Sequence, residues 1–190
     1  MKLIIASNNK HKIREIKDIL GDRFDSIISL SEAGIDHETV EDGVTFVENA
    51  RKKAREICDL FSMPTLADDS GICVDHLGGA PGIYSARFAG EHGNDKLNNA
   101  CLLKKLEGVT DRKAHYTCAM VIAYPDGSEV CAEGYMHGSI GYCELGQGGF
   151  GYDPLFIPLG LDKTLAEITE EEKNKISHRK NALEALLNKL

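Results

Sequence analysis

The tripeptide Pro125-Asp126-Gly127, set between two strand-like runs, constrains the fold more than any other feature of the chain. Proline presets φ for a turn and glycine accepts positive φ without steric cost, so Tyr116–Tyr124 and Glu129–His137 are expected to form a long hairpin. A hairpin brings antiparallel neighbours into any sheet it joins. The rest of the chain intersperses helix-like and strand-like segments, with no internal repeat, low-complexity tract or evident linker. The expected class is therefore α/β, with a mixed sheet and flanking helices rather than a purely parallel sheet. A length of 190 residues gives one domain over 1–190, with chain enough for two lobes.

The segments follow from periodicity and breakers. Lys2–Ala6 reads as a buried strand, Ser7-Asn8-Asn9 interrupts it, and Ile13, Ile16, Ile19 and Leu20 recur at helical spacing up to a stop at Gly21. Thr45-Phe46-Val47-Glu48 fits a capping box opening a second helix, with Val47, Ala50, Ala54, Ile57 and Phe61 on its apolar face and Pro64 beyond its end. Thr65-Leu66-Ala67 reads as a short strand ending at Asp68-Asp69-Ser70-Gly71. Gly78 to Gly90 is a loop by composition, and Leu97, Ala100, Leu103 and Leu106 indicate a helix after it. A glycine-rich loop, Gly141 to Gly151, precedes a helical region from about Glu170 and a final helix bearing Ala182, Leu183, Leu186, Leu187 and Leu190.

Charge removes some function classes. With 22 Lys+Arg against 30 Asp+Glu the net charge is -8, which argues against non-specific nucleic-acid binding. A small anion remains admissible, because it responds to local charge rather than the sum. No apolar run approaches the roughly 20 residues of a membrane span, and the apolar N-terminal run is too short for a signal peptide. The six cysteines are dispersed, without a Cys-x-x-Cys pair, and read as reduced, packed side chains of a cytoplasmic protein. Seven histidines form no His-x-His or His-x-x-x-His cluster, which disfavours zinc. Walker A is absent, since no Gly-Lys dipeptide occurs. Gly146-x-Gly148-x-x-Gly151 matches a dinucleotide spacing, but Tyr152-Asp153-Pro154 and Pro158 follow where a helix would have to open.

Four constellations carry possible chemistry, each with a plainer alternative. Ser7-x-Asn9-x-x-Lys12 lies where a strand gives way to a helix, a place that either binds an anion or is an ordinary N-cap followed by a solvated lysine. Glu41-Asp42-Gly43 and Asp68-Asp69 supply carboxylates from separate segments; such a pair can hold Mg²⁺ and act on a water, or can cap turns, the reading preferred for Asp42. Gly149-Phe150-Gly151-Tyr152-Asp153-Pro154 either offers Phe150 for stacking on a base, with Asp153 accepting from a base N–H, or is a tight turn over a minor core. Lys173 and Ser177-His178-Arg179 place basic groups at a helix start, against the dipole, which is either a ligand contact or a solvated turn.

Taken in order, these motifs resemble the inosine/xanthosine triphosphate pyrophosphatases, which remove deaminated purine nucleotides. The resemblance covers nearly the whole chain and includes Phe46-x-Glu48-Asn49-Ala50, Ala67-Asp68-Asp69-Ser70-Gly71 and Gly78-Gly79-Ala80-Pro81-Gly82-Ile83-Tyr84-Ser85-Ala86-Arg87. Asn8 stands where many relatives have glycine. The resemblance implies an elongated α/β fold of two lobes around a central cleft, a homodimer, Mg²⁺, and cleavage of a nucleoside triphosphate between the α and β phosphates. It further implies that Glu41 and Asp69 hold Mg²⁺, that Asp69 orients or deprotonates the attacking water, and that Asp68 supports it. Ser7, Asn9 and Lys12, with Lys53, would hold the phosphates, and Asn8, Lys10, His11 and Ser70 would join them in binding substrate. Phe150 would stack on the purine, in a loop with Gly151 and Tyr152, and Asp153, Lys173, His178 and Arg179 would surround its edge and phosphates. Two further classes are weighed beside it: a nucleotide-binding module without turnover, and a nucleic-acid-binding α/β protein. The absence of a basic stripe with interleaved aromatics counts against the latter.

Overall fold

The computed structural model describes residues 2–190, with Asp22 described by its backbone alone. Its strands are β1 (Lys2–Ile5), β2 (Ser26–Ser29), β3 (Thr65–Val74), β4 (Lys113–Ala123), β5 (Glu129–Ile140) and β6 (Phe156–Pro158). Its helices are α1 (Lys10–Leu20), α2 (Phe46–Phe61), α3 (Asp95–Lys105), α4 (Glu170–Ile176) and α5 (His178–Leu187). Among the described residues the strands form one six-stranded sheet in the order β2-β1-β3-β4-β5-β6. β1 runs parallel to both β2 and β3, while β5 and β6 are antiparallel, so the sheet is mixed as expected. The expected hairpin joins β4 to β5: the Tyr124 N–H donates to the Ser128 carbonyl at 3.0 Å, and Gly127 turns the chain at φ 87°.

Local chemistry accounts for the helix ends. Asn9 caps α1, its Oδ1 accepting from the His11 and Lys12 N–H groups at 3.0 and 3.2 Å, and Gly21 ends that helix at φ 52°. Thr45 caps α2, its Oγ1 accepting from the Glu48 N–H at 3.1 Å. The capping box is half formed, because the Glu48 carboxylate accepts from the Val44 N–H at 2.7 Å rather than from Thr45. Ser62, in the left-handed region at φ 51°, ends α2 before Pro64.

Three expectations are corrected. β3 does not end at Ala67: it runs ten residues, through Asp68-Asp69-Ser70-Gly71 to Val74. On α2, Phe61 is 43% exposed, while Asn49 and Cys58 join Ala50, Ala54 and Ile57 on the buried face. On α3, Leu97 faces out and Asn98 and Asn99 are buried with Leu102. The asparagines are accommodated because their amides find partners: Asn98 accepts from the Ala89 N–H at 2.8 Å, and Asn99 donates to Glu144 Oε1 at 2.7 Å and to the Gly151 carbonyl at 3.2 Å. The Gly78–Gly90 region is also more ordered than composition implies, holding a 3₁₀ segment at Gly82–Arg87.

The chain forms two compact units. The first comprises Met1–Asp69, Cys118–Gly134 and Arg179–Leu190; the second comprises Ser70–Thr117 and Tyr135–His178. In the first, strand alternation feeds two cores. Leu3, Ile5, Leu66, Cys118, Met120 and Ile122 pack with Ile16 and Leu20 of α1 and Ala182, Leu183 and Leu186 of α5. Ile4, Ala67, Ala119, Val121 and Ala123 pack with Ala50, Ala54 and Ile57 of α2. In the second unit one core gathers Ile72, Val74, Tyr116, Met136 and Ile140 against Leu102 of α3 and Leu155 and Phe156. No helix among the described residues is long and apolar enough to cross a membrane.

Candidate active site

Asp68 and Asp69 are consecutive on β3, so their side chains leave on opposite faces of the strand. Both are buried. Asp68 follows Leu66 toward α1 and α5, where its Oδ2 lies 2.9 Å from Lys12 Nζ and 3.5 Å from Arg179 Nε. Arg179, 1% exposed, also pairs with the buried Glu15 carboxylate. Burial opposes the charged form of Asp68, but Lys12, Arg179 and Lys53 outweigh it and hold the carboxyl well below the ordinary range. Burial opposes the charge of Arg179 as well, and Glu15 and Asp68 overcome it.

Asp69 follows Ala67 toward α2. Its Oδ2 accepts from Asn49 Nδ2 at 3.0 Å, and its Oδ1 lies 3.8 Å from Lys53 Nζ. The same ammonium donates to Glu41 Oε1 at 2.7 Å, so one lysine stands between two carboxylates from separate segments. Burial pushes the Asp69 carboxyl up; Lys53 and Lys12 only partly offset it, and Glu41 adds to the rise. Burial pulls Lys53 down, but Asp69, Asp68 and Glu41 more than compensate, and it stays protonated. The segment Glu41–Val44 lies along the first turns of α2: Lys52 pairs with Asp42 at 2.7 Å, and Asn49 Oδ1 accepts from the Gly43 N–H at 2.8 Å.

The second unit holds a different cluster. Lys173 Nζ lies 4.4 Å from the centroid of the half-buried Phe150 ring and pairs with the buried Asp153 carboxylate. Asp153 Oδ2 also accepts from the Phe150 N–H at 2.9 Å, and Tyr116 OH donates to Asp153 Oδ1 at 3.5 Å. The Tyr116 and His178 rings stack at 4.7 Å and 13°. Burial, then Asp153, raises the Tyr116 phenol, so it stays a neutral donor. Gly149 is required by this turn: at φ +72° its Cβ would fall 2.1 Å from Asp153 Oδ2.

The positions anticipated from sequence therefore separate by unit. Glu41, Lys53, Asp69, Asp68 and Lys12 come together in the first; Phe150, Asp153, Lys173 and His178 come together in the second. At Ser7-x-Asn9-x-x-Lys12 the N-cap reading holds for the backbone, since Asn9 occupies the His11 and Lys12 N–H groups and Ser7 Oγ accepts from the Asn9 N–H at 3.2 Å. Lys12 is not the solvated lysine of that reading; it turns in to Asp68. Asn8 donates to the His37 carbonyl at 3.4 Å, and Lys10 and His11 are exposed. Ser70 is half-buried on β3. The Tyr152 ring is spent on the core, its hydroxyl donating to the Ser85 carbonyl at 2.8 Å, while the Gly151 N–H donates to Asp95 at 2.7 Å. Arg179 departs furthest from expectation: its guanidinium goes to Glu15 and Asp68, which resolves the oddity of an arginine at a helix start. Sequence reasoning passed over Glu15, Asn49 and Tyr116. Glu15 carries a signal, a carboxylate next to Ile16 and three residues after Lys12 on an otherwise apolar helix stripe; Asn49 and Tyr116 carry only their place inside motifs.

Comparison with known proteins places the chain in a family. The family model described as the Ham1 family matches residues 3–189. A dITP/XTP pyrophosphatase of Clostridium perfringens is 52% identical over 197 residues, covering 100% of this chain and 97% of that one. The dITP/XTP pyrophosphatase of Bacillus subtilis is 44% identical, covering 96% and 93%. Among solved structures, the Staphylococcus aureus Ham1 protein superposes with a TM-score of 0.90 at 41% identity, covering 99% of this chain and 97% of that one. With a family match across nearly its whole length, and with the Asp68-Asp69 strand and the Phe150–Asp153 turn folded as described, this chain belongs to the Ham1 family.

Proposed function

We propose that this protein hydrolyses the deaminated purine nucleoside triphosphates dITP, ITP and XTP to the monophosphate and pyrophosphate, clearing them from the nucleotide pool. Relatives at 43–52% identity that carry the name dITP/XTP pyrophosphatase support this reading. The observation that carries it is the placement of Lys53 between Glu41 and Asp69. Among the described residues no three His, Cys, Asp or Glu side chains gather to cage a metal. Two carboxylates around one cation suit Mg²⁺, which binds through one or two carboxylates and completes its shell with water and substrate phosphates. Glu41 and Asp69 would hold it, and when bound it would supply charge neutralisation at the phosphates.

The chain's own residues do the rest. Asp69, with its proton affinity raised by burial, orients a water and accepts its proton as the oxygen bonds to the α phosphorus. The bond from the α phosphorus to the bridging oxygen breaks, and its electron pair leaves on pyrophosphate. Lys53 stays protonated and stabilises that charge. Lys12 assists at the phosphates while neutralising Asp68. In the second unit Phe150 stacks on the purine, and Lys173 is a pure donor. A donor pairs with the 6-keto acceptor of hypoxanthine or xanthine and is left unpaired against the amino group of adenine, a mismatch worth about 10⁴-fold. A homodimer in the cytoplasm is the setting the family resemblance implies, and light scattering on the eluted protein checks the dimer. The decisive test is a substrate panel read by pyrophosphate release in Mg²⁺. Release from dITP, ITP and XTP with little from ATP or GTP is expected; orthophosphate alone, or no preference among bases, overturns the reading.

A further inference from the structure

Asn49 is fully buried at the start of α2, and both ends of its amide are used. Nδ2 donates to Asp69 Oδ2 at 3.0 Å and Oδ1 accepts from the Gly43 N–H at 2.8 Å. The partners fix the orientation of the amide: a backbone N–H can only donate and a carboxylate can only accept, so a flipped amide would oppose like groups at both ends. One side chain thus bridges the strand that carries Asp69 and the segment that carries Glu41, two residues before Gly43. A second observation shows that this bridge requires close approach. A Cβ on Gly43 would fall 2.7 Å from Asn49 Oδ1, 2.9 Å from Glu48 Cβ and 3.1 Å from Asn49 N, so any larger residue pushes the segment off the helix. Neighbouring contacts hold the same segment in register, with the Val44 N–H on Glu48 at 2.7 Å and Glu41 on Lys53 at 2.7 Å.

We propose that Asn49 is a positioning residue that spaces Glu41 and Asp69 for the divalent cation, with Gly43 as the close-approach point that lets it reach both. The proposal rests on the Mg²⁺ reading above. Asn49 binds neither cation nor substrate; it aims Asp69 by donating from Nδ2 to Oδ2 and ties down the Glu41 segment by accepting from the Gly43 N–H at Oδ1. Partners of this kind typically change metal affinity or activity by about 10- to 100-fold when removed.

The test uses Mn²⁺ as probe, read by the electron paramagnetic resonance of the free ion with folded protein and an α,β-methylene analogue of ITP. Asn49→Ala and Gly43→Ala should each weaken Mn²⁺ binding by about 10- to 100-fold. In turnover assays the Mg²⁺ midpoint should rise by a similar factor while KM for ITP at saturating Mg²⁺ changes little. Thermal melting without metal reports any structural loss separately, and Gly43→Ala acts on the bridge from the other side should Asn49→Ala melt too low to assay. Glu41→Gln and Asp69→Asn are the controls. If the controls weaken Mn²⁺ binding and both bridge variants bind like the parent, the positioning role is overturned and the Mg²⁺ reading stands. If the controls also bind like the parent, the Mg²⁺ reading fails and takes this proposal with it.

Discussion

β4 is covered on both faces in one unit and on one face in the other, and the chemistry of each unit follows from that difference. In the first unit Cys118, Met120 and Ile122 feed one core and Ala119, Val121 and Ala123 the other. Charges on the neighbouring β3 are therefore out of water whichever way they point: burial pushes Asp69 up against its lysines, while at Asp68 the cations Lys12, Arg179 and Lys53 outweigh burial and hold it down. In the second unit the single core leaves His115, Tyr135 and His137 on an open face, their ring centroids 5.5–6.4 Å apart, and the candidate cluster is built around the rings of Phe150, Tyr116 and His178, with Lys173–Asp153 as its ion pair. Double cover keeps Asp68 and Asp69 out of water, beside Lys12, Lys53 and Arg179, whereas single cover leaves ring surface exposed on the second unit's open face.

The sharpest way to break this comparison is Asp69→Asn. Turnover should fall by about 10³-fold or more while the melting curve keeps its shape, because an amide can neither take the proton nor hold the cation as a carboxylate does. Unaltered turnover would remove Asp69 from its role. Next is Arg179→Met, which strands Glu15 and Asp68 without their cation. Breaking a buried pair from one side costs about 3–5 kcal/mol, read as a lower urea midpoint. The double variant Glu15→Leu with Arg179→Met should recover part of that loss, since an apolar pair leaves only Asp68 to be neutralised, by Lys12.

The matching change in the second unit, Lys173→Met, leaves the buried Asp153 carboxylate with only its bonds from the Phe150 N–H and Tyr116. It should lower the urea midpoint, by less than Arg179→Met because one carboxylate is stranded rather than two, and also act on selectivity. KM for ITP should rise by about 10- to 100-fold and the preference over ATP should narrow, as expected for the loss of one polar contact to a buried keto group. An equal effect on kcat alone would move Lys173 from base recognition to the chemical step. The smallest effect is expected at Glu32, on the surface of the first unit, where Lys17 and then the Ser29 N–H and hydroxyl hold the carboxyl down at about 2. A folded-state pKa below the unfolded one stabilises above the unfolded value and is lost as pH falls toward the folded one. Glu32→Gln should therefore lower the melting temperature slightly at pH 7 and not at pH 2, where melting curves of the two proteins should coincide.

Much of the fold was legible because local rules decided it. The Pro125-Asp126-Gly127 turn needs only proline's fixed φ and glycine's freedom, and both the Asn9 and Thr45 caps need only a side-chain oxygen beside N–H groups. Asp68-Asp69-Ser70-Gly71 misled for the same reason: by local propensity it is a turn, and only partners from α1, α2 and α5 make it affordable as the middle of a strand. Asn98 and Asn99 on α3 show the same effect on a smaller scale, buried because backbone and, for Asn99, the Glu144 carboxylate use their amides. The residues of the site were readable as types, but not their assignments. Nothing near Arg179 in the chain indicates Glu15, 164 positions away, as its partner.

By itself, then, the sequence determined the helices, the first strand, the β4–β5 hairpin and the mixed character of the sheet, but not the short strands Ser26–Ser29 and Phe156–Pro158 or the full length of β3. The former are set by backbone sterics and by side chains within a few residues of one another. Tertiary structure alone decided which carboxylate is held charged and which is pushed up, and that His178 and Arg179, consecutive in the chain, serve different clusters. It also decided that Asn49 bridges the segment of Glu41 to Asp69. Those outcomes depend on burial and on charges brought within a few ångströms by folding, and a pKa or an ion pair has no value until those distances exist.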